Sequence, residues 1–240
     1  MQFNSYIFIF LYLPVTVGGY YISNRIDKKV GDIFLIILSA IFYAWAGFNS
    51  FIILMGSIFI NYVINYFISR KPEKNQKELV LLLGIGFNIL LLLYYKYSNF
   101  FISNLCLFTK QEVENLDLIL PLGISFFSFQ QIAYLVDTYR GENEENSFKE
   151  YTFYILYFPK LLMGPLVSSK DIIIQFRDEE RKKINYSNIV KGLQMFGRGL
   201  FKKVMIADTF SKAVVWGFSN MSATTSADFF VVMLSYTFQI

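Results

Sequence analysis

Lys160 is the residue whose setting most demands a chemical explanation. It is a cation inside an apolar run, with Pro159 before it and Gly164-Pro165 after it. Prolines favour unwound backbone, and a lysine beside unwound backbone can meet a carboxylate, a phosphate or a thioester carbonyl. The plainer alternative is that its stem snorkels toward headgroups. Asp137 and Arg140 close another apolar run three residues apart, the spacing at which one helical turn pairs two charges, as a capping ion pair or as part of a polar path. Asn61 and Asn65, four apart, share a helix face, and Gln130 and Gln131 lie one to two turns before Asp137, so that at least one of them points into the bundle. Polar groups inside apolar runs are costly in lipid; each either bonds a neighbouring helix or lines a tunnel. Asn88 has the same choice.

Other chemistries are excluded. The chain has no histidine, which removes Ser-His and Cys-His catalysis, histidine zinc sites and histidine haem ligation within it. Cys106 is the only cysteine, so no intrachain disulfide and no paired-thiol metal site exists. There is no nucleophile elbow, Gly84-Ile85-Gly86 lacks a third glycine at dinucleotide spacing, and the second glycine of Gly192–Gly199 is not followed by Lys-Ser/Thr as a P-loop requires. No metal site and no bound cofactor is expected.

The elements that must position these residues are set by composition. Of 240 residues, 55% are hydrophobic, 19% aromatic and only 17% charged, with a net charge of +4. The charges are clustered, leaving successive apolar runs near the ~18 residues that cross a bilayer core. The runs are Tyr6–Ile22, interrupted by Pro14; Ile33–Ala46; Phe51–Ile68; Leu79–Tyr95; Leu118–Val136; Tyr151–Val167, broken by its prolines and Gly164; and a last one from Asp228. Gly47–Ser50 is short and uncharged, so the second and third runs form a tight hairpin, and Tyr97–Asp117 holds a short interfacial helix around Phe100–Phe108. The expected fold is all-α: a polytopic transmembrane helical bundle with a broken or re-entrant helix and an interfacial amphipathic helix, residues 1–240 forming a single membrane domain.

Lys/Arg counts orient it. Arg25, Lys28 and Lys29 follow the first run and Arg70, Lys71, Lys74 and Lys77 the third, while the hairpin loop has no basic residue. This places the N-terminus outside. The alternation fails at Ser168–Ser187, which carries Lys170, Arg177, Arg181, Lys182 and Lys183. It is restored if Tyr151–Val167 dips into the membrane and returns to the cytoplasmic side, which non-helical backbone tolerates only when buried in protein or facing a wet cavity. In Asn188–Val204, Ile189, Leu193, Phe196, Leu200 and Val204 fall on one side and Lys191, Gln194, Arg198 and Lys202 on the other. That helix either lies at the interface near anionic lipid or a phosphate-bearing donor, or packs in the bundle with its charges in water.

The most specific stretch is Leu120-Pro121-Leu122-Gly123-Ile124-Ser125-Phe126-Phe127-Ser128-Phe129-Gln130, continued by Tyr134 through Gly141. It resembles the signature of the membrane-bound O-acyltransferase family in its alginate O-acetylation branch. Phe42–Trp45, Tyr95–Phe101, Tyr157–Pro165, Phe201–Asp208 and Tyr236–Ile240 resemble the same branch in the same order, so the likeness covers nearly the whole chain. It implies a multi-pass protein of the plasma or inner membrane. The implied reaction moves an acyl group, expected to be acetyl, from a cytoplasmic donor (acyl-CoA or another acyl thioester) to hydroxyls of a cell-surface polysaccharide, with an extracytoplasmic acyltransferase as a further partner. The family's catalytic histidine lies beyond the position matching Ile240, so the chain is expected to be a truncated N-terminal part, inactive alone and with no catalytic residue of its own. Lys160, Arg198, Lys202 and Lys203 are the donor-side candidates on charge; Asn61, Asn65, Gln130, Asp137 and Arg140 are the tunnel or helix-packing candidates. A non-catalytic membrane scaffold and a small transporter or channel are the competing readings. No nucleic-acid partner is expected.

Overall fold

The structure is a computed structural model that describes residues 3–70, 73–109, 116–143, 146–161, 167–220 and 225–240. Every regular element among the described residues is helical, as expected. The helices are α1 (Leu13–Ile26), α2 (Lys28–Ala44), α3 (Phe48–Arg70), α4 (Lys74–Leu92), α5 (Ser98–Thr109), α6 (Ile124–Tyr139), α7 (Phe148–Leu156), α8 (Phe158–Leu161), α9 (Ser169–Arg177), α10 (Tyr186–Phe201), α11 (Asp208–Ser219) and α12 (Ser226–Gln239). They group into two compact units, one spanning Thr16–Lys182 and one formed by the stretch ending at Val15 together with Lys183–Ile240.

Several sequence expectations change in detail. Pro14 does not interrupt its helix: the preceding Phe8–Tyr12 winds as a π turn, and the looser turn absorbs the missing N–H and the ring clash that proline imposes. The fourth run does not stop at Tyr95, because a second π turn, Leu93–Tyr97, joins α4 to α5. The helix expected around Phe100–Phe108 is α5. The hairpin of the second and third runs is tight, with Trp45 capping α2 three residues before α3 begins. Phe48–Arg70 and the Lys74–Cys106 rod are long and apolar enough to cross a membrane. At 17 and 16 residues, α2 and α6 reach only about 25 Å.

In the first unit α3, α4 and α6 pack on one another, α2 packs on α3, and α7 is held by α2, α3 and α6. The core is aromatic: Tyr43, Leu54, Ile58, Ile124, Phe127, Tyr134, Tyr151, Tyr154, Ile155 and Leu156 are buried together. Helix α3 shows why lipid is its solvent. Its buried stripe, Ser50, Leu54, Ser57, Ile58, Asn61, Asn65 and Ile68, holds the polar residues of its middle turns, while Ile52, Phe59, Ile60, Val63 and Phe67 are exposed and Asn49, Ser69 and Arg70 are exposed at its ends. Apolar outside and polar inside inverts the arrangement of a water-soluble helix and suits a hydrocarbon surround. Gly84 permits the close approach: a Cβ there would lie 2.7 Å from Leu135 and 2.9 Å from Ile64.

The sixth run is broken as expected, and the break is at Tyr157 (ψ 108°) between α7 and α8. Pro159 lacks the N–H that would continue α7 and its ring would collide with the carbonyl one turn back; in the first turn of α8 it is tolerated. Gly164 and Pro165 lie outside the described residues. The charged loop Ser168–Ser187 is in part helical, as α9, with Asp171 in its first turn and Arg177 in its last, the order that suits the helix dipole. In the second unit α11 packs along α12, and α10 runs into a π turn, Lys202–Ala207.

Candidate functional site

The polar residues of α3, α4 and α6 converge on one buried knot. Ser57 Oγ donates to Gln131 Oε1 (2.7 Å). Asn61 Nδ2 donates to the same oxygen (2.8 Å), to the Ser57 carbonyl (2.9 Å) and to Asn88 Oδ1 (3.2 Å). Asn88 Nδ2 returns a bond to Asn61 Oδ1 (2.6 Å) and reaches the Gly84 carbonyl (2.8 Å). The Asn61 amide thus bonds α3 to both α4 and α6. Asn65 is buried on the same face, but its Oδ1 has no hydrogen-bond partner among the described residues. At the end of α6, Arg140 stands 4.0 Å from Glu142 in place of the one-turn pair with Asp137.

The second polar region lies along the broken limb, the chain from α7 to α9. Tyr134, Tyr151 and Tyr154 stack into one cluster, with centroids 4.7 Å apart for Tyr134–Tyr151 and 5.8 Å for Tyr134–Tyr154. Lys160 is 6% exposed, and its Nζ lies 3.4 Å above the Tyr154 ring, a cation–π contact. That Nζ has no hydrogen-bond partner among the described residues, nor do the Tyr151 hydroxyl, the Thr152 hydroxyl or either amide atom of the buried Gln130. Gln130 sits one turn before Tyr134 on α6. A cation buried without a carboxylate, beside unmet donors and acceptors, is a costly arrangement that a polar ligand would relieve.

The limb descends along α6 and returns to where it began. Its far end reaches the start of α6, where Gly123 adopts φ 71° and a Cβ would stand 3.1 Å from the Leu161 carbonyl oxygen. On the way back the Tyr154 hydroxyl donates to the Val167 carbonyl (3.0 Å), and Ser169 Oγ donates to Asn143 Oδ1 (2.8 Å). Arg177 binds Glu150 through Nε (2.6 Å) and Asn146 through Nη2 (3.0 Å). Burial alone would raise the Glu150 carboxyl. The Arg177 hydrogen bond, and then those from the Ser147 amide and hydroxyl, overcome it and hold the group at about 2. The start of α7 and the end of α9 therefore meet at one end of the first unit.

A buried carboxylate completes that end. Asp32 receives Lys149 Nζ on Oδ2 (2.9 Å) and Lys182 Nζ on Oδ1 (2.6 Å). Both lysines also lie over the Phe176 ring, at 5.4 and 5.1 Å, and Phe176 stacks on Phe153 at 4.0 Å. Lys28 pairs with Glu179 beside them. Sequence reading missed Asp32; the available signal was an acid placed flush against the start of an apolar run, after a basic loop. At the hairpin a separate cavity of about 330 Å³ is lined by residues 46–50 with Ile119, Leu120 and Leu122.

Arg198, Lys202 and Lys203 belong to the second unit and are exposed, Lys203 pairing with Asp208 at 2.6 Å. They are thus not buried partners of anything in that unit. The helix that carries Arg198, α10, has no buried residue; Ile189, Phe196 and Leu200 are half-buried and Leu193 is exposed.

Known proteins place this architecture. The chain is 36% identical over its whole length to a peptidoglycan O-acetyltransferase of Helicobacter pylori, covering 51% of that protein. It is 32% identical to the probable alginate O-acetylase AlgI of Pseudomonas putida and 31% to that of Pseudomonas aeruginosa, covering 49% and 46% of them. The chain thus spans about half the length of the curated relatives it matches. No solved structure matches it. The sequence profile of the membrane-bound O-acyltransferase family matches residues 33–240, and the chain belongs to that family.

Proposed function

We propose that these residues form the donor-facing part of an O-acyltransferase that carries an acyl group, acetyl by the relatives' names, from a cytoplasmic thioester to hydroxyls of a cell-surface polysaccharide. The observation that carries this reading is Lys160: a buried cation whose Nζ has no hydrogen-bond partner among the described residues, in a limb whose helix is broken beside it. Its role is to meet the thioester carbonyl or a phosphate of the donor. In the reaction the acceptor oxygen attacks the acyl carbon, the carbon–sulfur bond breaks, the thiol leaves and the hydroxyl proton passes to a base. The 240 residues contain no histidine, so an imidazole base would have to come from outside them, and alone they should bind donor without transferring it. The end that gathers Asp32, Lys149 and Lys182 faces the cytoplasm and the N-terminus lies outside. The exposed cations of α10 lie against anionic headgroups on the cytoplasmic side, and an extracytoplasmic acyltransferase takes part in delivery.

The test has two arms. Deleting the gene in its source cell should remove base-labile acyl ester from the cell envelope, measured as acid released by mild alkali. Membranes containing the chain should bind radiolabelled acetyl-CoA, and Lys160→Met should weaken that binding by about 10-fold, the scale of one lost charge-assisted contact. Unchanged envelope ester in the deletion strain overturns the acyltransferase reading. Unchanged binding in the Lys160→Met chain removes Lys160 from the donor site.

A further inference from the structure

We propose that Asp32 is a positioning residue, which fixes the broken limb along α2 and thereby holds Lys160 in place. Lys149 sits in the first turn of α7, at the start of the limb, and Lys182 lies just beyond α9, and the two carboxylate oxygens of Asp32 hold one lysine each. A single side chain, itself 3% exposed, therefore ties both ends of the limb to one point on α2. The same face of α2 continues along the limb. Seven residues on, Ser39 Oγ accepts from the Phe158 N–H (3.4 Å), and Phe42 packs against Phe158 with centroids 5.4 Å apart. Asp32, Ser39, Phe42 and Tyr43 are buried residues of α2, and together with Gly31 they form its buried set. Spacings of seven and ten residues return to one side of a helix. Phe158 is two residues from Lys160, so the contacts at Ser39 and Phe42 set the height of the cation, while Asp32 sets the base from which that height is measured.

Packing alone does not account for Asp32. An aliphatic residue would fill the site without gripping two lysines, and a carboxylate buried beside two cations is worth keeping when it fixes one arrangement among several. The exposed outer face of α2, with Ile33, Ile37 and Ile41, offers no alternative anchor for the limb. That Lys160 serves the donor rests on the reading given above; that Asp32 governs where Lys160 sits does not.

The test reads the position of Lys160 without any turnover. The detergent-solubilised chain is treated with the N-hydroxysuccinimide ester of acetate, and acetylation of each lysine is followed by mass spectrometry, with exposed Lys74 as internal standard. Lys149 and Lys182 will react faster once Asp32 is neutralised whatever the limb does, so the informative rate is that of Lys160. In the Asp32→Asn chain, Lys160 should react about 10-fold faster, while Asp32→Glu should hold it within about 3-fold of the parent, as local release of a clamped segment predicts. Should Asp32→Asn fail to elute as a monodisperse species, Lys149→Met, which leaves the Lys182 tether, should still raise the Lys160 rate about 3-fold. An unchanged Lys160 rate in the folded Asp32→Asn or Lys149→Met chain, or equal acceleration by Asn and Glu at position 32, overturns the proposal. None of these outcomes depends on whether the donor binds.

Discussion

The knot between α3, α4 and α6 and the limb of α7 and α8 both bury polar groups in the first unit, and they do so differently. In the knot, Asn61, Asn88 and Ser57 spend their donors and acceptors on one another, on Gln131 and on backbone carbonyls. Among the described residues of these helices, Gln131 Nε2, Asn65 Oδ1 and Ser128 Oγ are left over. Along the limb Lys160, Tyr151 and Thr152, and on α6 Gln130, lack hydrogen-bond partners among the described residues although each is buried. A satisfied network in a low-dielectric interior rigidifies, and an unsatisfied one costs free energy that a ligand or a buried water can return. The contrast separates residues that hold the bundle from residues that await something, and it does so among side chains that look alike in sequence.

The sharpest way to break this contrast is to remove one member of each. Asn61→Leu strips the amide that links three helices and takes one partner from Gln131 Oε1 and one from each end of the Asn88 amide, so it should cost about 1–3 kcal/mol. Lys160→Met removes a buried cation that rests on the Tyr154 ring and has no carboxylate partner among the described residues; it should leave stability unchanged or raise it. Thermal unfolding of the solubilised chain checks both, with a fall of roughly 5 °C expected for the first and none for the second. Equal falls would mean that Lys160 is structural and that the two regions do not differ in kind. A smaller effect of the same sort is expected at Gln130: Gln130→Leu should stabilise slightly, by about 0.5–1 kcal/mol, since it removes unmet polar atoms without changing the volume much.

The sequence announced these regions unequally, for physical reasons. Asn61 and Asn65 were legible as one face because helical spacing is local, and the break near Pro159 was legible because proline acts on its own helix. The purpose of Asn61 was not legible, since its partners lie 27 and 70 residues away. Neither was the clasp: Asp32 meets Lys149 and Lys182 across 117 and 150 residues, and no periodicity links them. Yet the failure of the charge alternation at Ser168–Ser187 pointed at the same fact. One way to restore the alternation was for the run before that loop to return to its starting side, and Arg177 at the end of α9 meets Glu150 at the start of α7. Helix α9 was hidden because its charges read as a solvated loop, although Ile173 and Phe176 recur at helical spacing and are both buried.

The smallest predicted effect concerns the joint between those flanks, and it sharpens the contrast from the satisfied side. Glu150 lies in the first turn of α7, ahead of the apolar run, where it closes a capping box with Ser147 and binds Arg177. Its folded carboxyl titrates at about 2, below the ~4.3 of an unfolded glutamate. A group depressed on folding stabilises the fold above the unfolded value and loses that contribution as pH falls toward the folded one. The joint should therefore hold at neutral pH and weaken between about pH 4 and pH 2, the window between those two values. Glu150→Gln keeps the cap geometry but removes the charge. It should lower the unfolding temperature at pH 7 by only about 2 °C, as a partly exposed pair warrants, and should flatten the decline on acidification. If the variant and the parent decline in parallel as the pH falls to 2, the ion pair contributes nothing measurable to closing the limb, and the grip on its flanks falls to Asp32 and the stacked Phe153 and Phe176.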